Sequence, residues 1–218
     1  VGKTVDSELS GNVIDLCPVG ALVSKPFRYS ARTWELSRRK SISPHCGLGS
    51  NLVVQIKQNR VMRVLPRDNE AINECWLSDK DRFSYEGLNS EDRLTRPMIK
   101  RDGRWIECDW QEALEFTANE LQAIKHKYGA KSIAALGSAY STLEELYLLQ
   151  KLMRTMGSGN IDHRLRQSDF RADKQLQGIP WLGNSIADMS RLKSVLIIGS
   201  TLRKDHPLIA QRLRQAAK

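Results

Sequence analysis

The chain is poor in the features that small binding domains usually build on. Its 218 residues hold four cysteines, at 17, 46, 75 and 108, with no pair at Cys-x-x-Cys spacing. That excludes a disulfide scaffold, and free thiols in a reducing compartment are expected. A zinc site drawn from His45, Cys46, Cys75 and Cys108 lacks zinc-finger spacing and sets a histidine directly beside a cysteine. Aromatic residues are only 6% of the chain and do not interleave with the basic clusters, as a single-strand stacking platform would require. No apolar run exceeds four residues, as in Val195–Ile198, far short of the roughly 18 that span a bilayer. No apolar stretch follows Lys3, so no secretory signal is expected there. A phosphate-binding G-x-x-x-x-G-K-[ST] loop and a G-x-S-x-G elbow are missing. Gly47-Leu-Gly49 precedes a strand pattern instead of following one, which fails the dinucleotide fingerprint.

Basic charge, in contrast, is plentiful. Thirty-four Lys and Arg against 25 Asp and Glu give +9. The excess is spread along the chain: residues 1–109 are +3 and residues 110–218 are +6. Its clusters are short (Arg38–Lys40; Arg164 with Arg166; Arg203-Lys204; Arg212 with Arg214), so a solvated basic surface is expected and nucleic acid is not. The chain starts at Val1 and ends in an uncapped helical pattern, Gln211–Lys218, which reads as an internal piece of a longer polypeptide.

Periodicity divides what remains. Ser37–Pro44 reads as a connector. The β-rich runs 52–57 and 60–65 around Gln58-Asn59 predict a hairpin. Trp76, Phe83 and Tyr85 are candidate core, and Asp102-Gly103 marks a turn into a short strand. Asp109 with Glu112 predicts a capping box opening a helix that Gly129 ends, and Thr142 with Glu145 opens a second, ended by Gly157. Ser132–Leu136 and Ser194–Ile198 read as buried strands, each ending in Gly-Ser, and Pro207 starts a last helix. Strand–helix alternation predicts an α/β domain with a parallel sheet, preceded by a small β-rich module.

Two constellations could carry chemistry. Cys17-Pro18 can be the terminal ligand of a bacterial-type cluster run, whose other cysteines lie far upstream, or an ordinary buried cysteine in a turn. Ser43, Cys46, Ser50 and Ser78 keep the spacing of a C-x2-C-x3-C site with a distant fourth cysteine. Only one of the four is a thiol, and serine oxygens are hard, poor ligands for iron–sulfur clusters. The expectation is an empty site whose backbone is retained for packing.

Arg93–Ile106 with Asp109–Leu114 resembles the entry to molybdopterin oxidoreductase domains, and the 43/46/50/78 spacing resembles the cluster module that precedes them. Asn12–Phe27, Ala31–Leu36, Asn69–Glu74, Trp76–Lys80, Arg82-Phe83 and Gly87 narrow the likeness. Together they resemble the family of large peripheral-arm iron–sulfur subunits of respiratory complex I, NADH:quinone oxidoreductase. That resemblance implies three parts: the end of a [4Fe–4S] ferredoxin-like domain (1–36), a degenerate 4Fe–4S module (37–98), and the truncated start of a molybdopterin-oxidoreductase-like α/β domain (99–218). It implies Cys17 as the fourth ligand of a [4Fe–4S] cluster whose other ligands lie outside this sequence, with [2Fe–2S] and further [4Fe–4S] clusters elsewhere in the full subunit. Gly199-Ser200 runs into Thr201-Leu202 where catalytic relatives have Asn-Pro, so no molybdenum or pterin is expected. The implied role is electron relay from NADH and FMN toward quinone, within a complex that translocates protons. The expected partners are other peripheral-arm subunits, the FMN/NADH-binding one included. The implied place is the cytoplasmic or matrix face of the inner membrane, as a peripheral subunit. The alternative is a catalytic molybdopterin enzyme of the formate dehydrogenase or nitrate reductase kind.

Overall fold

A computed structural model describes residues 5–218 apart from 165–168, 170, 172, 176, 179 and 180. It forms two compact units, residues 1–91 together with 178–218, and residues 92–177.

The first unit is built on a three-stranded antiparallel sheet, order β1-β2-β3, from Ser37–Ile42, Asn51–Lys57 and Arg60–Pro66. The predicted hairpin joins β2 and β3. Gln58 and Asn59 both take positive φ, 48° and 61°, the left-handed pair that a two-residue hairpin turn needs. Ser37–Ile42 is not a connector: it pairs with β2 along its whole length, from Ser37 opposite Ile56 to Ile42 opposite Asn51. Its alternation is hidden because all six residues are exposed. As an edge strand it carries Arg38, Arg39 and Lys40, charges that discourage further strand pairing. The sheet packs Leu52 and Val64 onto Leu77 and Tyr85. Of the three aromatics expected in the core, Tyr85 is buried, while Trp76 and Phe83 are half-buried.

Two very short helices meet beside this sheet, α1 (Asn12–Leu16) and α2 (Asp79–Phe83). Gly11 lies at the contact: a Cβ there would come within 2.8 Å of Arg82 Cδ and Nε and of Asp79 Oδ1. Gly11→Ala is therefore expected to cost about 1–3 kcal/mol through overpacking. Faster amide exchange at Leu77, whose N–H is held by Asn12, would report it; unchanged protection would refute it.

The C-terminal segment returns to this unit. Helices α5 (Leu202–Asp205) and α6 (Pro207–Ala216) bring Leu208 against Cys46 and Leu48. Pro207 opens α6 as expected. Arg212 is buried, donating to the carbonyls of Glu70 (2.7 Å) and Ile72 (3.0 Å) and pairing with Glu74 at 3.2 Å. Arg203 and Lys204 both pair with Glu8, which those cations hold at a pKa of about 2. Arg212 thus serves internal pairing, while Arg203 and Lys204 pair with Glu8 on an exposed face. Of the Arg164 and Arg166 cluster, Arg166 lies outside the described residues.

The buried strand expected at Ser194–Ile198 does not form. The segment has no strand partner among the described residues, and Val195, Leu196, Ile197 and Ile198 are 48–84% exposed. An apolar run specifies burial only when an element is present to cover it.

In the second unit, β4 (Met98–Arg101) and β5 (Arg104–Glu107) form a hairpin through Asp102 and Gly103, both at positive φ. Helix α3 (Trp110–Tyr128) starts at Asp109, which accepts from Glu112 N at 2.8 Å. The reciprocal half of the expected box is absent: the Glu112 carboxylate pairs with Arg101 at 2.6 Å. Helix α4 (Leu143–Met156) has the full Thr142–Glu145 box and ends at left-handed Gly157. The strand expected at 132–136 shrinks to Ala135–Leu136 (β6), preceded by a single 3-10 turn, and pairs in parallel with Ile161–Asp162 (β7). This pair is all of the expected parallel sheet among the described residues. The apolar stripe of α3 has no buried residue, so the helix forms at the expected place without a core beneath it.

Candidate metal centre

Cys17 directly follows α1, and its N–H closes the helix on Val13 O at 3.1 Å. Proline at 18 ends the helix there. The chain then turns through Gly20 at φ 67°, which a residue with a Cβ would resist. Backbone N–H groups of the turn act on the Cys17 thiol, foremost those of Leu22 and Val19. These amides stabilise the thiolate and hold the thiol below its ordinary pKa. Cys17 is partly exposed, and its sequence neighbours Val13, Leu16, Val19, Leu22 and Val23 are exposed apolar residues. A partly exposed thiol whose thiolate is favoured by turn amides fits one corner of an iron–sulfur cluster. Among the described residues no three His, Cys, Asp or Glu side chains group to hold a metal ion.

Ser43, Ser50 and Ser78 are brought together by the fold, around a residue that spacing did not single out. All three hydroxyls donate to the Asp81 carboxylate, at 2.5, 3.5 and 2.7 Å. Asp81 is 2% exposed and the serines 4% or less. Ser78 also caps α2, accepting from Asp81 N at 3.1 Å. The signal for this was present in Ser78-Asp-Lys-Asp81, an S-x-x-D capping pattern. Cys46 is buried with them but bonds elsewhere, with Sγ 3.3 Å from His206 Nδ1. Burial, then the Asp81 charge, pushes its thiol up. Hydroxyls committed to an internal carboxylate, and one neutral thiol, do not fit an iron–sulfur cluster.

Three further residues that spacing did not pick out, Asn12, Asp79 and Arg82, join the Cys17 helix to α2. Their signal is weak in sequence, since each is an ordinary surface residue type. Gly137, at the end of β6, is a close-packing position: a Cβ there would lie 3.2 Å from Leu146 Cδ2. Gly199 sits at positive φ with open space around it.

Comparison with known proteins finds three family models along the chain. Residues 1–23 match the NADH-quinone oxidoreductase subunit 3 ferredoxin-like domain, and residues 36–86 the NADH-ubiquinone oxidoreductase NDSU1/NuoG-like 4Fe-4S domain. The G subunit of the NADH-quinone oxidoreductase of Rickettsia conorii is 40% identical over 211 residues, covering 97% of this chain and 30% of its own length. The NADH-ubiquinone oxidoreductase 75 kDa subunit of Reclinomonas americana is 35% identical, covering 99% and 32%. The mitochondrial NADH dehydrogenase [ubiquinone] iron-sulfur protein 1 of Solanum tuberosum is 39% identical, covering 100% and 29%. The chain therefore spans about a third of the length of these curated relatives. The resemblance read from the sequence is borne out, and since residues 93–218, more than half of the chain, match the molybdopterin oxidoreductase model, the chain belongs to the molybdopterin oxidoreductase family.

Proposed function

We propose that this chain is a section of the electron-transfer subunit of an NADH:quinone oxidoreductase, and that Cys17 is one of four thiolates holding a [4Fe–4S] cluster. The observation that carries the reading is Cys17-Pro18 at the end of α1, in a segment similar to a ferredoxin-like domain, with turn amides that favour the thiolate. When bound, such a cluster accepts and passes on single electrons. The residues present end the helix at the ligand and lower its proton affinity. Residues 37–98 are, in this reading, a degenerate 4Fe–4S module organised by Asp81 instead of a metal. Residues 99–218 are the start of a molybdopterin-type domain kept as scaffold, without molybdenum or pterin. The partners are neighbouring peripheral-arm subunits, the FMN/NADH-binding one included, on the cytoplasmic or matrix face of the membrane. No helix among the described residues is long and apolar enough to cross a membrane.

In the full-length subunit, Cys17→Ser is expected to abolish or strongly alter one [4Fe–4S] signal in reduced-state EPR. Cys46→Ser, by contrast, should leave cluster content unaltered. An unchanged spectrum in Cys17→Ser refutes the ligand assignment, and stoichiometric molybdenum or tungsten in the intact protein would refute the scaffold reading.

A further inference from the structure

We infer that α2 is a positioning clamp for the Cys17 ligand, and that Arg82 and Asp79 set its geometry and charge; this rests on the reading of Cys17 as a cluster thiolate. Helix α1 has five residues, too few to hold itself in water, and Asn12 is its single buried residue. Its orientation must therefore come from outside.

The α2 region supplies it. The Asn12 side-chain amide forms a reciprocal pair with the Leu77 backbone, donating to Leu77 O at 2.7 Å and accepting from Leu77 N at 3.0 Å. Arg82, 3% exposed, donates to Asn12 Oδ1 at 3.1 Å and to Asp15 Oδ2 at 2.5 Å. Asp79 accepts from Ser10 Oγ at 2.5 Å and from Gly11 N at 2.7 Å, and its own N–H donates to Glu8 O at 2.8 Å. Residues 8, 10, 11, 12 and 15 are all gripped, and Asp15 stands two residues before the ligand.

Helix α2 is just as short, with five residues, and it is held by Asp81. Residues 79, 81 and 82 divide the work. Asp81 anchors the helix in the three serine hydroxyls, while Asp79 and Arg82 reach α1. The serine-lined pocket that fits no cluster of its own thus fixes the element that orients the ligand of another.

The Arg82–Asp15 pair also sets local charge. A reduced cluster carries one more negative charge than an oxidised one, so a nearby cation favours reduction and an unpaired anion opposes it. Arg82→Gln removes the cation that offsets the Asp15 charge, and that one change lowers the midpoint potential. Asp79→Asn removes an anion from the opposite arm of the clamp and raises it. Arg82→Lys keeps the charge and restores most of the potential.

The test is an EPR redox titration of the assembled complex carrying these variants, with Cys17→Ser marking which signal belongs to the ligand. The expected result is opposite shifts, negative for Arg82→Gln and positive for Asp79→Asn, in that signal alone. The other clusters serve as internal controls of assembly. If Cys17→Ser alters a signal but neither clamp variant moves its potential or line shape, the clamp is refuted and the ligand assignment stands. If Cys17→Ser alters none, both fall. Should Arg82→Gln fail to assemble, Asp79→Asn decides alone: an unmoved potential overturns the proposal.

Discussion

Asp81→Ala is expected to destabilise the sheet module by about 3–5 kcal/mol, among the larger effects of a single substitution. Three buried hydroxyls donate to this carboxylate, and truncation leaves all three without their acceptor. A hydrogen bond to a charged group contributes roughly 1.5–3 kcal/mol, and the values within one network do not simply add. The α2 cap is weakened too, because Ser78 loses one half of its exchange with Asp81. Native-state hydrogen exchange at the β2 and β3 amides measures the loss. Asp81→Asn should cost less, since an amide oxygen still accepts while the charge is gone. Equal protection in Asp81→Ala and the unsubstituted chain would show that the serines organise the pocket without it.

Arg212→Ala is expected to release α6 from the first unit at a cost of about 3–5 kcal/mol, the range for removing one partner of a buried ion pair. The guanidinium satisfies the carbonyls of Glu70 and Ile72 and pairs with Glu74. Truncation leaves these acceptors and a carboxylate that is 20% exposed without their cation. A methionine at 212 should recover part of the loss by keeping the aliphatic contacts. The measurement is exchange protection of the α6 amides, with the β4–β5 hairpin amides of the second unit as reference. Loss of protection confined to α6 is expected; no loss would mean that Leu208 alone holds the helix.

Much of the local structure was legible in the sequence because its causes are local. The Gln58-Asn59 turn, the Asp109 and Thr142 caps, Gly129, Gly157 and Pro207 each act through a few neighbouring backbone groups, and each stands where its pattern placed it. The likeness carried by 12–27, 69–87 and 93–114 was legible for a different reason, as a pattern of residues and not as a physical deduction.

What failed in the sequence reading failed because its cause is a partner. Ser37–Ile42 became a strand through β2, not through its own alternation. Ser194–Ile198 was apolar enough for a strand, yet no described strand pairs with it. The 43/46/50/78 spacing correctly grouped three serines in space, but only packing put Asp81 at their centre and turned Cys46 toward His206. For Cys17 the order of residues dictated no more than a thiol followed by a proline. Folding supplied the rest: a turn whose amides favour the thiolate, and a clamp in which Asp79 and Arg82, more than sixty residues away, hold the helix that presents it. A side chain's position is set by the groups that satisfy it, and those lie wherever the fold brings them.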